Sequence, residues 1–316
     1  MPGTPAQTES LCPHCLRRVP ARRIVAENSV YLEKSCPEHG DPGRVLLWKN
    51  SPWAYEEWCR PRVREDTNQN PVYPKDTGCP DYCGICANHQ QATCSAILEV
   101  TDRCNMRCPV CFAGSKPEGG ADPKLSRIEQ MLHTILSSAG SCPIQLSGGE
   151  PTLRDDLPQI VALARKAGFD HIQVNTNGIR LALDSDYGQA LKDAGTTDFF
   201  LQFDGLDDSV HLRIRGTGLL GLKLKAVERC AELKLGVILV PTLVRDVNEN
   251  QVGPLIQFAK KWIPIVKGVH FQPMTFLGRY PAFPRNDDRI LIPEILRAIE
   301  EQTGGEVRVE NMLPAG

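Results

Sequence analysis

The sequence has no long apolar run. Its longest, Leu235 to Val244, is broken by Pro241 and falls far short of the ~20 residues of a membrane-spanning helix. It also lacks an excess of charge of either sign. There are 36 lysines and arginines against 38 aspartates and glutamates, a net of −2, so neither a nucleic-acid surface nor a membrane-surface patch is expected. Met1 to Ser10 is polar and carries no secretory signal pattern. What the chain has in quantity is cysteine. There are 13, and eleven of them precede residue 112, most at spacings of two or three residues. A secreted disulfide scaffold would be small and would spread its cysteines through the fold. Clustering within 316 residues of otherwise ordinary composition, 41% hydrophobic and 23% charged, points to metal instead.

The densest cluster is Thr101-Asp102-Arg103-Cys104-Asn105-Met106-Arg107-Cys108-Pro109-Val110-Cys111-Phe112, a C-x3-C-x2-C pattern just after the apolar run Ala96-Ile97-Leu98-Glu99-Val100. It puts three thiols on one loop at the end of a predicted strand. A 4Fe–4S cube held only by protein wants four thiolates. Three leave one iron open, much as a catalytic zinc keeps an open position. The bland alternative is a zinc knuckle or three unrelated core cysteines. Downstream comes Ser147-Gly148-Gly149-Glu150-Pro151. Alone it would be an ordinary turn closed by a first-turn proline, but glycines there also let backbone approach a ligand closely.

Together these stretches resemble the radical SAM superfamily. Cys104, Cys108 and Cys111 match its cluster motif, and Gly148, Gly149 and Glu150 its glycine-rich motif. The resemblance implies a catalytic 4Fe–4S cluster whose open iron chelates S-adenosylmethionine. Reductive cleavage would then give a 5′-deoxyadenosyl radical that abstracts hydrogen from substrate. The aromatic residue usual before the third cysteine is Val110 here, which leaves Phe112 to take its place beside the adenine, or nothing.

Two knuckles open the chain: Cys12-Pro13-His14-Cys15 and Cys36-Pro37-Glu38-His39. Their spacing suits a tetrahedral site of Cys12, Cys15, Cys36 and His39 for zinc or a rubredoxin-like iron. Between them Arg23-Ile24-Val25 and Ser29-Val30-Tyr31-Leu32 predict a hairpin around Glu27-Asn28. Lys49 to Lys75 reads as a linker packing through Trp53, Tyr55 and Trp58. A second C-x3-C-x2-C then places Cys79, Cys83 and Cys86 in line for an auxiliary 4Fe–4S cluster. Cys94 is either its fourth ligand or a thiol packed under the next strand. This order of motifs resembles the branch of the superfamily that contains the archaeal dihydropterin methylase and the tetraether lipid synthase. It also resembles a short bacterial group of radical SAM (seleno)proteins. Relatives in that branch continue beyond the last residues here, so a natural end at Gly316, a truncation and a selenocysteine codon all stay open.

From residue 95 strand-like and helix-like runs alternate, with strands predicted at Ile97–Thr101, Ile144–Ser147, His171–Asn175, Phe199–Asp204, Gly236–Thr242 and Gly268–Pro273. Alternation argues parallel βαβ units. At about 30 residues each, six fit rather than eight. The expected fold is α/β: a partial (β/α)6 TIM-like barrel with a small N-terminal metal-knuckle domain of rubredoxin-like type. The divisions are 1–60 (knuckle), 61–95 (linker and auxiliary cluster), 96–280 (radical SAM core) and 281–316 (C-terminal helix and tail). Val307-Arg308-Val309 reads as a last short strand. Working residues belong at the C-terminal strand ends. Asn175, Thr176 and Asn177 end the third strand, where they suit ribose hydroxyls. Gln202 and Asp204 end the fourth, where the resemblance points them at S-adenosylmethionine or substrate. Arg215 suits the methionyl carboxylate.

The resemblance further implies a flavodoxin- or ferredoxin-type reductant and methylation or carbon–carbon bond formation on a small molecule or lipid. A peptide substrate, or a non-catalytic electron-transfer role, is the rival. Low-potential clusters imply a reducing, cytoplasmic setting.

Overall fold

The computed structural model describes residues 6–41, 43–49, 58, 93–282 and 285–313. Strands β1 (Ala6–Leu11), β2 (Arg18–Ala26), β3 (Ser29–Lys34) and β4 (Arg44–Lys49) form an antiparallel sheet in chain order. The predicted hairpin is there, but longer and flanked by two further strands. Its turn residues Glu27 and Asn28 both have positive φ, 49° and 62°, the two-residue connection that matches strand twist. Val19, Ala21, Val30 and Trp48 are buried, and the Trp58 ring lies 5.8 Å from that of Trp48.

The rest is built on six parallel strands: β5 (Ala96–Thr101), β6 (Ile144–Gly148), β7 (Ile172–Thr176), β8 (Asp198–Gln202), β9 (Gly236–Val240) and β11 (Val266–Val269). They pair in that order, with β5 and β11 as edges. Helices α1 (Leu125–Ala139), α2 (Leu157–Ala167), α3 (Ile179–Leu183), α4 (Ser185–Ala194), α5 (Asp208–Arg215), α6 (Leu220–Leu233) and α7 (Val252–Lys261) fill the connections. This is the expected α/β arrangement, an open partial (β/α)6 barrel. Leu98, Leu146, Val174, Leu201 and Leu239 share one core with Ile128, Leu132, Ile160, Leu191, Val227 and Leu255 of the helices. Strand alternation then turns Ile97, Glu99, Gln145, Asn175, Phe200 and Gln202 to the opposite face.

Two expected strands are each interrupted. The fifth breaks at Pro241, which has no N–H for the ladder, and resumes as β10 (Thr242–Leu243). The sixth breaks after Val269 and resumes as β12 (Gln272–Pro273), which pairs with β10. Asp207 caps α5, its carboxylate accepting from Ser209 N at 2.7 Å.

Helix α8 (Ile292–Gln302) packs Ile295 and Ile299 against Val252 of α7. The strand expected at Val307–Val309 does not form. Val309 N donates to Glu300 Oε2 (2.9 Å), and residues Val309–Asn311 make a 3-10 turn, so the backbone finds partners without a sheet. Asn286 ties this C-terminal region to β4: Leu46 N donates to its Oδ1 (2.9 Å) and its Nδ2 to Arg44 O (2.8 Å). Among the described residues no helix is long and apolar enough to cross a membrane.

Candidate active site and metal centres

The N-terminal knuckles converge. Ligand atoms of Cys12, Cys15, Cys36 and His39 all lie within 4.8 Å of one another. Cys15 Sγ is 3.9 Å from Cys36 Sγ, and His39 Nδ1 is 3.7 Å from Cys12 Sγ and 3.5 Å from Cys36 Sγ. A tetrahedron of ~2.3 Å metal–sulfur bonds has edges of about 3.7 Å, so the four donors fit one ion. Hydrogen bonding, chiefly from the Cys15 backbone, holds the Cys12 thiol down to about 6, which supplies the thiolate a metal needs. His14 stays outside the donor group; its ring centroid is 5.3 Å from that of His39. Replacing Cys36 by serine is expected to abolish a stoichiometry of about one zinc per chain, read by elemental analysis, while iron in the barrel is retained.

The second centre is the loop after β5. Its base is fixed by Asp122, which accepts from Thr101 Oγ1 at 2.6 Å and pairs with Arg103. The end of β6 runs against it: Gly149 N donates to Thr101 O and Glu150 N to Arg103 O, both at 2.8 Å. Here the need for glycine is physical. A Cβ on Gly148 (φ +133°) would lie 1.9 Å from Thr101 O, and one on Gly149 would lie 2.2 Å from Arg103 O. The backbone approaching these glycines is that of the cysteine loop.

Cys104, Cys108 and Cys111 meet in an apolar pocket with Met106, Ile179, Leu219 and Leu222. No fourth cysteine shares it among the described residues. Burial, with Glu150 adding to it, pushes the Cys104 thiol up to about 11. Burial also raises Cys108, against the nearby charge of Arg215. Three thiols gathered in one apolar pocket, with no fourth described cysteine beside them, fit an iron–sulfur cluster whose remaining position takes a further ligand.

Behind the loop lies a buried polar network. The Glu150 carboxylate, 1% exposed, accepts from Thr152 N (3.1 Å), Thr152 Oγ1 (2.6 Å), Thr176 Oγ1 (2.8 Å) and Asn177 N (2.6 Å). Asn177 Nδ2 in turn donates to Asn105 Oδ1 of the cysteine loop at 2.8 Å. Asp204 and Arg215 form a two-bonded fork, each bond 2.7 Å. Arg215 also donates to Val110 O (3.1 Å) and Thr242 Oγ1 (2.9 Å), so its donors are turned to protein rather than held free for a carboxylate. Burial works against the Asp204 charge, but Arg215 outweighs it and holds the carboxyl below the usual range. Gln202 Oε1 accepts from Lys223 Nζ at 3.0 Å. Asn175 donates to Gln145 Oε1 at 3.1 Å, while its own Oδ1 is buried with no protein partner.

Phe112 is 63% exposed, while Val110 packs with Val210 and Ile214. Cys94 is exposed ahead of β5 rather than packed under it. Cys79, Cys83 and Cys86 lie outside the described residues.

Sequence reasoning missed Lys223. It is fully buried, donates to Asn177 O as well as Gln202, and is brought down to about 8 by burial. Its signal was helical spacing: it shares a face with Ala226, Val227 and Cys230, all core residues. Asn248 was also missed. Its Nδ2 bridges Asp204 O (2.9 Å) and Thr242 O (2.8 Å).

A parallel sheet with three cysteines at its first strand end and a glycine-rich turn at its second defines an enzyme that binds an iron–sulfur cluster and S-adenosylmethionine. Residues 98–259, about half of the chain, match the radical SAM superfamily, and the chain belongs to it. Residues 4–49 match the HMPTM N-terminal zinc ribbon domain, which favours zinc over iron at the knuckle site. The chain is 39% identical over 311 residues to 7,8-dihydro-6-hydroxymethylpterin dimethyltransferase of Methanocaldococcus jannaschii, covering 98% of this chain and 61% of that one. It thus spans about three-fifths of that relative's length. A probable GTP 3′,8-cyclase of Methanococcus maripaludis is 32% identical over 178 residues, 56% of this chain and 59% of that one. The fold is also that of native anSMEcpe with bound AdoMet, at a TM-score of 0.51 and 17% identity over 68% of this chain and 64% of that one.

Proposed function

We propose that this chain methylates, or builds a carbon–carbon bond on, a small molecule of the dihydropterin class. The observation that supports this most is the extent of the match. Identity to the pterin dimethyltransferase runs through 98% of the chain, ribbon and C-terminal region included, whereas the cyclase matches 56%.

When bound, the cluster and S-adenosylmethionine supply a 5′-deoxyadenosyl radical able to take hydrogen from an unactivated carbon. The chain's own residues do the rest. Cys104, Cys108 and Cys111 would hold the cluster, and Met106, Ile179, Leu219 and Leu222 keep water from it. Gly148 and Gly149 let the β6 turn lie flat on the loop, and Glu150 locks that turn to the end of β7. The unpartnered Asn175 Oδ1 offers an acceptor for a ligand hydroxyl or N–H. Gln145 and Gln202 present amides on the same sheet face. Asp204 and Arg215 set the end of β8, with Phe112 at the loop's outer edge. A flavodoxin- or ferredoxin-type reductant and a reducing, cytoplasmic compartment complete the reading.

The test is anaerobic reconstitution, with iron counted and S-adenosylmethionine, dithionite and 6-hydroxymethyl-7,8-dihydropterin added. Deoxyadenosine and a methylated pterin are expected by mass spectrometry, and Cys104→Ala should lose both. An iron count near eight rather than four would support an auxiliary cluster on Cys79, Cys83 and Cys86. Deoxyadenosine with an unchanged pterin overturns the substrate class and directs the search to lipids or peptides. Intact clusters with no deoxyadenosine overturn the chemistry.

A further inference from the structure

The second half of the cysteine loop is held by a segment far away in sequence. The chain leaves β12 at Pro273, where Met274 N donates to Leu243 O at 2.9 Å, then crosses to the loop. Cys111 and Arg279 exchange backbone hydrogen bonds in both directions, Cys111 N to Arg279 O at 2.9 Å and Arg279 N to Cys111 O at 2.8 Å. The Arg279 guanidinium donates through Nε to Cys108 O (2.6 Å) and through Nη2 to Ser115 O (2.9 Å). Gly278 (φ +65°) lies so close that a Cβ there would come within 2.2 Å of Phe112 O and 2.5 Å of Cys111 O. Four hydrogen bonds and one steric fit thus converge on Cys108, Cys111 and the residues just after them. The first half of the loop is held separately, by the β6 turn and Asp122.

We infer that residues 274–280 are a strap that sets the second and third cysteines in register with the first, and that Arg279 is its positioning residue. Cys108 is 6% exposed, and its carbonyl accepts from Arg279 Nε. A carbonyl so placed needs a donor, and a guanidinium reaches the two carbonyls from two nitrogens held in one rigid plane, an arrangement that a single ammonium nitrogen does not reproduce. A cluster needs all three thiolates at once, so a loop whose two halves are fixed by different elements is assembled only when both are in place. Linkage then requires the reverse effect: cluster binding must order the strap. Arg279 lies 20 residues beyond the span that matches the superfamily, 98–259. The inference rests on the three-cysteine cluster and not on the substrate.

The test compares reconstituted wild type, Arg279→Ala and Arg279→Lys. The share of the reduced-cluster EPR signal that changes when S-adenosylmethionine is added reports this cluster alone. Its loss to a chelator is expected to be about tenfold or more faster in Arg279→Ala, with Arg279→Lys close to alanine. Zinc content should be unchanged in all three, and circular dichroism and melting temperatures of the cluster-free proteins within a few degrees of wild type show that the barrel of each variant folds. Separately, hydrogen exchange over 274–280 is expected to slow on reconstitution of wild type and not of Cys104→Ala. An Arg279→Ala cluster as durable as wild type, or strap exchange indifferent to the cluster, would overturn the inference.

Discussion

Replacing Gly149 by alanine is expected to cost 10–100-fold in the affinity of the three-cysteine loop for its cluster. Nothing polar is lost in this substitution and no charge changes. The new methyl carbon would stand 2.2 Å from Arg103 O, 2.6 Å from Arg103 C and 2.8 Å from Asp102 O. All three are backbone atoms, so no side chain can swing aside. The strand end or the cysteine loop must move, and with either movement the Gly149–Thr101 and Glu150–Arg103 hydrogen bonds are lost. Iron per chain after gel filtration, and deoxyadenosine formed under reducing conditions, should both fall. Gly221→Ala is the contrast. It sits in α6 with no atom within 4 Å of the added carbon and should be neutral or slightly stabilising. Equal iron in Gly149→Ala and wild type would show that the loop does not depend on that contact.

The Asp204→Asn variant should unfold more easily by about 3–5 kcal/mol, a melting temperature lower by about 10 °C for a chain of this size. Asparagine keeps the shape but takes from Arg215, 7% exposed, its paired carboxylate and from Lys223, fully buried, the larger of its two acidic neighbours, leaving it Glu150 alone. The pH dependence has a definite sign. The folded-state carboxyl is held below its usual value, so its contribution is present above the unfolded-state pKa of about 4. It is lost as pH falls through the folded value. The gap between wild type and Asp204→Asn should therefore stay constant from pH 7 to about 5 and close below about 4. Adding Lys223→Met should restore part of the loss, because one stranded cation is removed. Denaturant midpoints of the three proteins across that range decide it; a gap that widens at low pH would contradict the assigned charges.

The architecture was readable because period and punctuation agreed. The strands at 97, 144 and 172 begin within one residue of expectation. Failures came where local pattern was silent about neighbours. Val307–Val309 alternates like a strand, but among the described residues no strand pairs with it. Arg215 looked free for a ligand because its partner Asp204 is eleven positions away, a distance no motif registers. Glu150 drew notice for its motif, yet its four donors come from Thr152, Thr176 and Asn177. Lys223 hid among lysines normally taken as surface charge. The zinc ligands were legible in full, since two short knuckles encode most of their own geometry.

The position of Cys94 has an electrical consequence. It precedes β5, and Cys104 follows it. A six-residue strand at about 3.3 Å per residue places about 20 Å of backbone between them. No single cube of iron and sulfide spans that gap, so the two thiols belong to different circuits. Any metal that Cys94 holds sits at the end of β5 opposite the three-cysteine loop.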